Sequence, residues 1–232
     1  YYFTQSLIGK KKASSIIIFI AGIREVGMAN NSLSVIIIAG DESTTIADCI
    51  NSALFADEIV LIDRNKELAR GQVLDLVHGV TFVPTVVIRE GTSADYADAQ
   101  VIVITAGSAQ KSGETRLQLL KKNADIVGGI SEEIASSGSG GVMLIVSNPV
   151  DVMTWVALKR SGWERGRVIG SGTVLDSARF RHLLSRHCGV DVHNVHAYIL
   201  GEHGDSEFAA WSMTNLAGMP IDNYCPLCRK CA

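Results

Sequence analysis

Short apolar runs alternate along this chain with longer segments in which apolar residues recur every third or fourth position. Residues 35–39 are β-branched and small, the texture of a strand buried on both faces. Further runs of strand length lie at 58–63, 86–89, 101–105 and 142–146. Between them, residues 43–54, 67–77 and 116–134 carry a helical period, the second closed by Gly79. Strand and helix in repetition argue for an α/β fold with a Rossmann-like doubly wound parallel sheet, spanning residues 35–170. After residue 171 the texture changes. A helix is predicted over 176–187, a strand over 195–200, and a last apolar stretch over 208–216. This predicts a second domain over 171–232, α+β in character and incomplete. The thirty or so residues beyond 203 are too few for a packed second layer. Residues 1–34 receive no role.

Composition narrows the class. Hydrophobic residues make up 47% of the chain and charged residues 19%, which excludes a disordered segment. A net charge of -3 argues against nucleic acid or an anionic membrane as partner. Lys10, Lys11 and Lys12 precede the apolar run 16–23 and imitate a secretory leader. That run is too short to span a bilayer, and no small-x-small cleavage site follows. A cytoplasmic chain is expected. Of five cysteines, Cys225, Cys228 and Cys231 crowd the end at metal-ligand spacing. A fourth ligand is missing, so the expectation is loop thiols in a reducing compartment and no metal. Tyr1 stands where Met would begin a gene product, and the expectation is a fragment or processed chain.

Residues 35–63 form a unit of 29 residues: a strand, a glycine-bearing turn, a helix, and a second strand ending at Asp63. Such a unit holds a dinucleotide. The turn lets backbone approach the pyrophosphate, the helix N-terminus stabilises its charge, and the acid binds ribose hydroxyls. The G-x-G-x-x-G frame falls on Ile38, Gly40 and Ser43, so only the middle glycine is present. Asp41 and Glu42 occupy the turn, where like charges about 4 Å apart repel by roughly 4 kcal/mol at an effective dielectric near 20. The two carboxylates could instead cap the following helix and point outward. An alternative start, 16–21 followed by Gly22 and Gly27, would lengthen the unit to 48 residues and make 35–39 an insertion. The later start is preferred.

Four motifs carry the chemistry. Residues 107–116 read GSAQKSGETR, 147–151 read SNPVD, 171–181 read SGTVLDSARFR, and 194–206 read NVHAYILGEHGDS. In this order and spacing they resemble the lactate and malate dehydrogenase family, over about residues 35–218. The resemblance implies NAD as cofactor, bound in part by Gly40, Asp63, Gly107 and Asn148. It implies that His203 donates or accepts the proton, a task that suits an imidazole near neutrality. Asp176 would hold the other ring nitrogen and fix the tautomer. Arg179, three residues further and on the same helical face, would grip the substrate carboxylate through two parallel hydrogen bonds. Arg116 would polarise the carbonyl from a loop whose closure excludes water. Asn148 would contact the carbonyl and the cofactor.

Gln110 occupies the position where the family's lactate enzymes carry Gln and its malate enzymes carry Arg. A neutral side chain leaves a second substrate carboxylate unpaired, so pyruvate and lactate are favoured over oxaloacetate and malate. Arg181 and His196 match positions that hold fructose 1,6-bisphosphate between subunits in allosteric bacterial members. Relatives are usually dimers or tetramers, and a homo-oligomer is expected. The leading expectation is therefore L-lactate dehydrogenase chemistry, with roles in glycolysis and fermentation. The alternatives are a malate dehydrogenase-like enzyme, or a non-catalytic remnant whose altered turn no longer holds the cofactor.

Overall fold

The central strand of the larger sheet, β1 (Ser34–Ile37), lies between two parallel neighbours. These are β2 (Glu58–Leu61) and β4 (Val101–Ile104). The computed structural model describes residues 34–37, 56–80, 85–108 and 112–228. Outside the described residues lie the segment 1–33, the turn with Ile38, Gly40, Asp41, Glu42 and Ser43, the expected helix 43–54, Gln110 and Cys231.

The chain separates into two compact units. One comprises Tyr1–Asn148 and Met153–Ile169, the other Pro149–Val152 and Gly170–Ala232. In the first, β3 (Val87–Glu90), β5 (Val142–Ile145) and β6 (Val168–Gly170, its last residue counted with the second unit) complete a six-stranded sheet ordered β3-β2-β1-β4-β5-β6. The first five pair in parallel. Strand order reverses direction between β1 and β4, the position at which doubly wound sheets open a crevice for ligands.

The apolar runs explain the layer. Ile59, Leu61, Ile102, Ile104, Met143 and Ile145 are almost wholly withdrawn from solvent. Each contributes about 1.5–3 kcal/mol relative to an exposed side chain. Among the described residues, three helices accompany the sheet: α1 (Lys66–Gly79), α2 (Arg116–Ser136) and α3 (Val150–Ser161, its first three residues counted with the second unit). Asn65 caps α1 by accepting from the Leu68 N–H at 3.3 Å. Thr115 and Gln118 exchange hydrogen bonds at the start of α2, each side chain satisfying the other's backbone N–H. Helix α2 buries Asn123, Val127, Ser131 and Ile134, spaced to lie along one face. Arg160 near the end of α3 pairs with Glu132 of α2 through two nitrogens.

Helix α3 is not among the segments that the sequence pattern predicts. Pro149 reads as a stop but sits just before the first turn, where its fixed φ is compatible with a helix and its missing N–H costs nothing. Val150, Met153 and Ala157 supply the buried stripe. Strand β6, only three residues long, was also missed.

In the second unit, α4 (Val174–Cys188) ends at Gly189, whose φ of 70° allows the left-handed turn that closes it. The single strand expected over 195–200 is a correction. Residues 195–200 form β7 (Val195–His196) and β8 (Ile199–Leu200), which belong to different sheets. Between them, the Ala197 carbonyl accepts from Arg181 Nε at 2.9 Å, and the Tyr198 carbonyl from the Ala210 N–H. Those acceptors take the backbone out of one continuous ladder. Strand β8 pairs antiparallel with β9 (Phe208–Ala209). Strand β7 pairs antiparallel with β10 (Asn215–Leu216), which pairs in turn with β11 (Met219–Pro220). A small core of Cys188, Val195, Ala197, Leu216 and Ile221 forms around them, with Tyr224 of α5 (Ile221–Cys228) donating to the Cys188 carbonyl at 3.1 Å. Among the described residues, no helix is long and apolar enough to cross a membrane.

Two features of the larger unit generate predictions. Gly141, just before β5, faces the backbone carbonyls of Ala99 and Gln100; an added Cβ would lie 2.6 Å from the Gln100 oxygen. Backbone cannot retreat as a flexible side chain can, so Gly141→Ala should destabilise the protein by about 1–3 kcal/mol in thermal or denaturant unfolding. Asp95 accepts from Arg89 at 2.7 Å and from the Thr92 N–H at 2.7 Å. Burial pushes its carboxyl up, but the bonds from Arg89 and Thr92 outweigh that and hold it below the usual carboxylate range. Its contribution is thus complete above the ordinary carboxylate value and is lost as pH falls through the depressed one. Asp95→Asn should lower the unfolding free energy at neutral pH by about 1 kcal/mol. Acid unfolding curves of variant and parent should converge as pH falls through that range.

Candidate active site

Helix α4 carries two of the candidate residues in its first turns, and the segment after β8 carries the third. Asp176 lies in the first turn of α4 with its side chain 12% exposed. Its Oδ2 is 2.6 Å from His203 Nδ1. A carboxylate of this kind can only accept, so the proton of the pair resides on Nδ1, leaving Nε2 to exchange a proton with a reactant. Asp176 Oδ1 also accepts from Arg179 at 3.3 Å, the i,i+3 spacing placing both on one helical face. The Arg179 side chain is 64% exposed, so its remaining guanidinium donors are open to an anion.

The backbone that presents His203 is fixed from two sides. The Ile199 carbonyl accepts from Thr173 Oγ1 at 2.6 Å and from Ser177 Oγ at 3.3 Å, while the Ile199 N–H donates to Ser177 at 2.9 Å. These bonds tie β8 to the start of α4. The His203 N–H donates to Asp151 Oδ2 at 2.9 Å, within the same unit. Gly201 adopts a φ of 104°, turning the chain two residues before the histidine.

In the larger unit, Gly107 lies three residues past the end of β4, and the next N–H, that of Ser108, donates to the buried Asn123 side chain at 2.8 Å. Asn123 thereby fixes the loop that leaves the sheet at the crevice. Ser147 holds the neighbouring loop by donating to the Ile104 carbonyl at 3.2 Å, next to the exposed Asn148. Asp63 lies two residues beyond β2 and is only 8% exposed, with Oδ1 accepting from the Asn65 N–H at 2.6 Å. Arg116 is the exposed first residue of α2. Gly40 and Gln110 lie outside the described residues. Arg181 stacks over Tyr198 at 4.9 Å, and His196 is exposed on β7.

Residues 31–170 match the family model for the lactate/malate dehydrogenase NAD binding domain, and residues 173–232 match that for the lactate/malate dehydrogenase alpha/beta C-terminal domain. The chain belongs to the lactate/malate dehydrogenase family. Its larger unit is that family's NAD-binding domain. The L-lactate dehydrogenase of Treponema denticola is 62% identical over 187 residues, covering 81% of this chain and 59% of that one. The L-lactate dehydrogenase of Thermoanaerobacter sp. is 53% identical over 195 residues, covering 84% and 63%. A solved lactate dehydrogenase from a Medee basin deep-sea metagenome library superposes with a TM-score of 0.74 at 48% identity, covering 78% of this chain and 58% of that one. The minor L-lactate dehydrogenase of Enterococcus mundtii, solved with ligands bound, also gives 0.74, at 44% identity and the same coverage. This member of the family spans about six tenths of the length of the curated relatives it matches.

Sequence reasoning missed Asp151 and Glu207 as parts of the histidine's surroundings. Asp151 stood inside a motif already noted. The position of Glu207, four residues past His203, has meaning only once the loop's path is known. Ser177 generates the prediction here. Ser177→Ala leaves the Ile199 N–H without this acceptor and should cost about 1–2 kcal/mol, with faster hydrogen exchange at the Ile199 amide than at the core of the large sheet.

Proposed function

We propose that this chain is an L-lactate dehydrogenase in its chemistry: pyruvate + NADH + H⁺ ⇌ L-lactate + NAD⁺. The observation that carries the reading is the cluster of His203, Asp176 and Arg179, a proton-carrying imidazole braced by a carboxylate beside an open guanidinium. The larger unit fits the cofactor by the chemistry of its donors. A shielded carboxylate, Asp63, lies two residues past β2, where ribose hydroxyls need an acceptor, and Gly107 lies in the loop that leaves β4 at the strand-order reversal. Gly40 and Asn148 would complete its hold. NADH, when bound, supplies the hydride.

The chain's own residues do the rest. Arg179 grips the substrate carboxylate as a fork. Arg116 polarises the 2-oxo group, and Asn148 contacts the same oxygen. His203 gives its Nε2 proton to that oxygen in reduction and takes it back in oxidation. Asp176 keeps the ring in the tautomer that makes this possible and stabilises the imidazolium. Gln110 selects pyruvate over oxaloacetate by offering no cation to a second carboxylate. In domain terms, residues 35–170 hold the cofactor and 171–232 supply the histidine and the carboxylate grip. The cytoplasm is the setting that fits this chemistry. A homo-oligomer is the expected assembly, with Arg181 and His196 as contacts for fructose 1,6-bisphosphate.

The test is an NADH oxidation assay with pyruvate and oxaloacetate side by side, with and without fructose 1,6-bisphosphate. Faster turnover with pyruvate is expected. A preference for oxaloacetate would move the reading to malate. No saturable NADH binding at millimolar cofactor would favour a remnant, the reading that the acidic turn at Asp41 and Glu42 supports. Arg179→Lys should raise the KM for pyruvate about tenfold or more, because an ammonium cannot form the fork.

A further inference from the structure

The imidazole of His203 has a second carboxylate beside it. Glu207 Oε2 lies 3.9 Å from Nδ1, on the same ring nitrogen that Asp176 already occupies at 2.6 Å. That oxygen is sealed from solvent and, among the described residues, has no hydrogen-bond partner. A carboxylate oxygen so placed is unfavourable unless something nearby compensates it. The gap is too long for a hydrogen bond and lies at the outer limit of an ion pair.

Among the described residues, most of the other charged groups near the ring are engaged elsewhere. On α4, Asp176 is shared between the ring and Arg179. At the start of α3, Asp151 is engaged with the His203 backbone N–H. On the loop, Glu202 accepts from Ser206 at 2.9 Å, and Asp205 is exposed. The Glu207 backbone N–H donates to the Gly204 carbonyl at 3.1 Å, so the turn that follows the histidine delivers this carboxylate back to it. The unpartnered oxygen faces a ring that gains positive charge whenever it is protonated.

We propose that Glu207 is a positioning residue for proton donation, its buried oxygen acting with Asp176 to hold His203 in the protonated form that reduces the 2-oxo acid. This rests on the lactate dehydrogenase reading above. In reduction the ring must carry its proton, so activity declines as pH rises and that proton is lost. Removing the Glu207 charge makes the protonated ring less favourable and moves the decline to lower pH. The side chain is about one-third exposed, and solvent moderates the effect.

The experiment compares the full chain with Glu207→Gln and Glu207→Asp. The pH profile of pyruvate reduction is measured together with the ¹H–¹⁵N titration of the His203 ring by NMR. Glu207→Gln should move the alkaline limb and the ring titration to lower pH together. Glu207→Asp keeps the charge and should restore most of the difference. A uniform loss of kcat across pH, with both midpoints unmoved in Gln and Asp variants, would assign Glu207 a merely structural role and overturn the proposal. If the parent chain reduces no pyruvate, the functional reading fails. The ring titration still decides whether Glu207 acts on His203, because it needs no turnover.

Discussion

The hydrogen bond between Asp176 and His203 is the constraint on which the smaller unit is organised. It joins the first turn of α4 to a loop 27 residues later, and it is useful only if both supports are stiff. The helix is anchored at its far end by the left-handed turn at Gly189 and against the small core by Phe180 and Leu184. The loop is anchored where Ser177 and Thr173 take both polar groups of Ile199. A carboxylate that reached the imidazole from a mobile loop would sample many rotamers, and the selected tautomer would be lost with them. Here the acid is pinned on a helix, and Arg179 on the same face steadies it further.

Around that bond, backbone and side chain divide the labour. Asp151 holds the histidine's main chain, Asp176 its ring, and Gly201 bends the chain between β8 and the loop. The larger unit follows the same economy. Asn123, buried on α2, spends its carbonyl on the Ser108 N–H, and the Ser147 hydroxyl is spent on the end of β4. The loop that leaves β4 at the strand-order reversal and the loop that leaves the adjacent β5 are thus fixed by one polar side chain apiece. Such buried polar contacts add little net stability but leave few alternative loop conformations.

Most of the large sheet was legible in the sequence. The runs at 58–63, 101–105 and 142–146 fall on strands because nearly every residue in them is apolar, as strands covered on both faces require. Their ends shift by a residue or two where side chains such as Asp63 leave the ladder. Helix α3 was hidden by Pro149, since a proline reads as a stop unless the stripe beyond it is followed. The 195–200 segment looks like one strand in the sequence; it is interrupted by Arg181, sixteen residues before Ala197, and by Ala210, twelve residues after Tyr198. The three residues of the candidate cluster were legible through motif resemblance alone. No periodicity relates positions 176 and 203. Glu207 escaped even that, because the observation that marks it, an acid oxygen shut away from water without a donor, exists only in three dimensions.

The position of β1 has a consequence for how the protein comes into being. Its two neighbours are β2, which begins 24 residues later at Glu58, and β4, whose Val101 pairs with Val35. During synthesis the first flank can be covered early, but the second must wait until some sixty-five further residues have left the ribosome. Through that interval the innermost strand of the sheet behaves as an unprotected edge, able to recruit another nascent chain. The doubly wound order that opens a cofactor crevice in the finished molecule therefore also sets its period of greatest vulnerability to aggregation, with speed of elongation and chaperone cover governing yield.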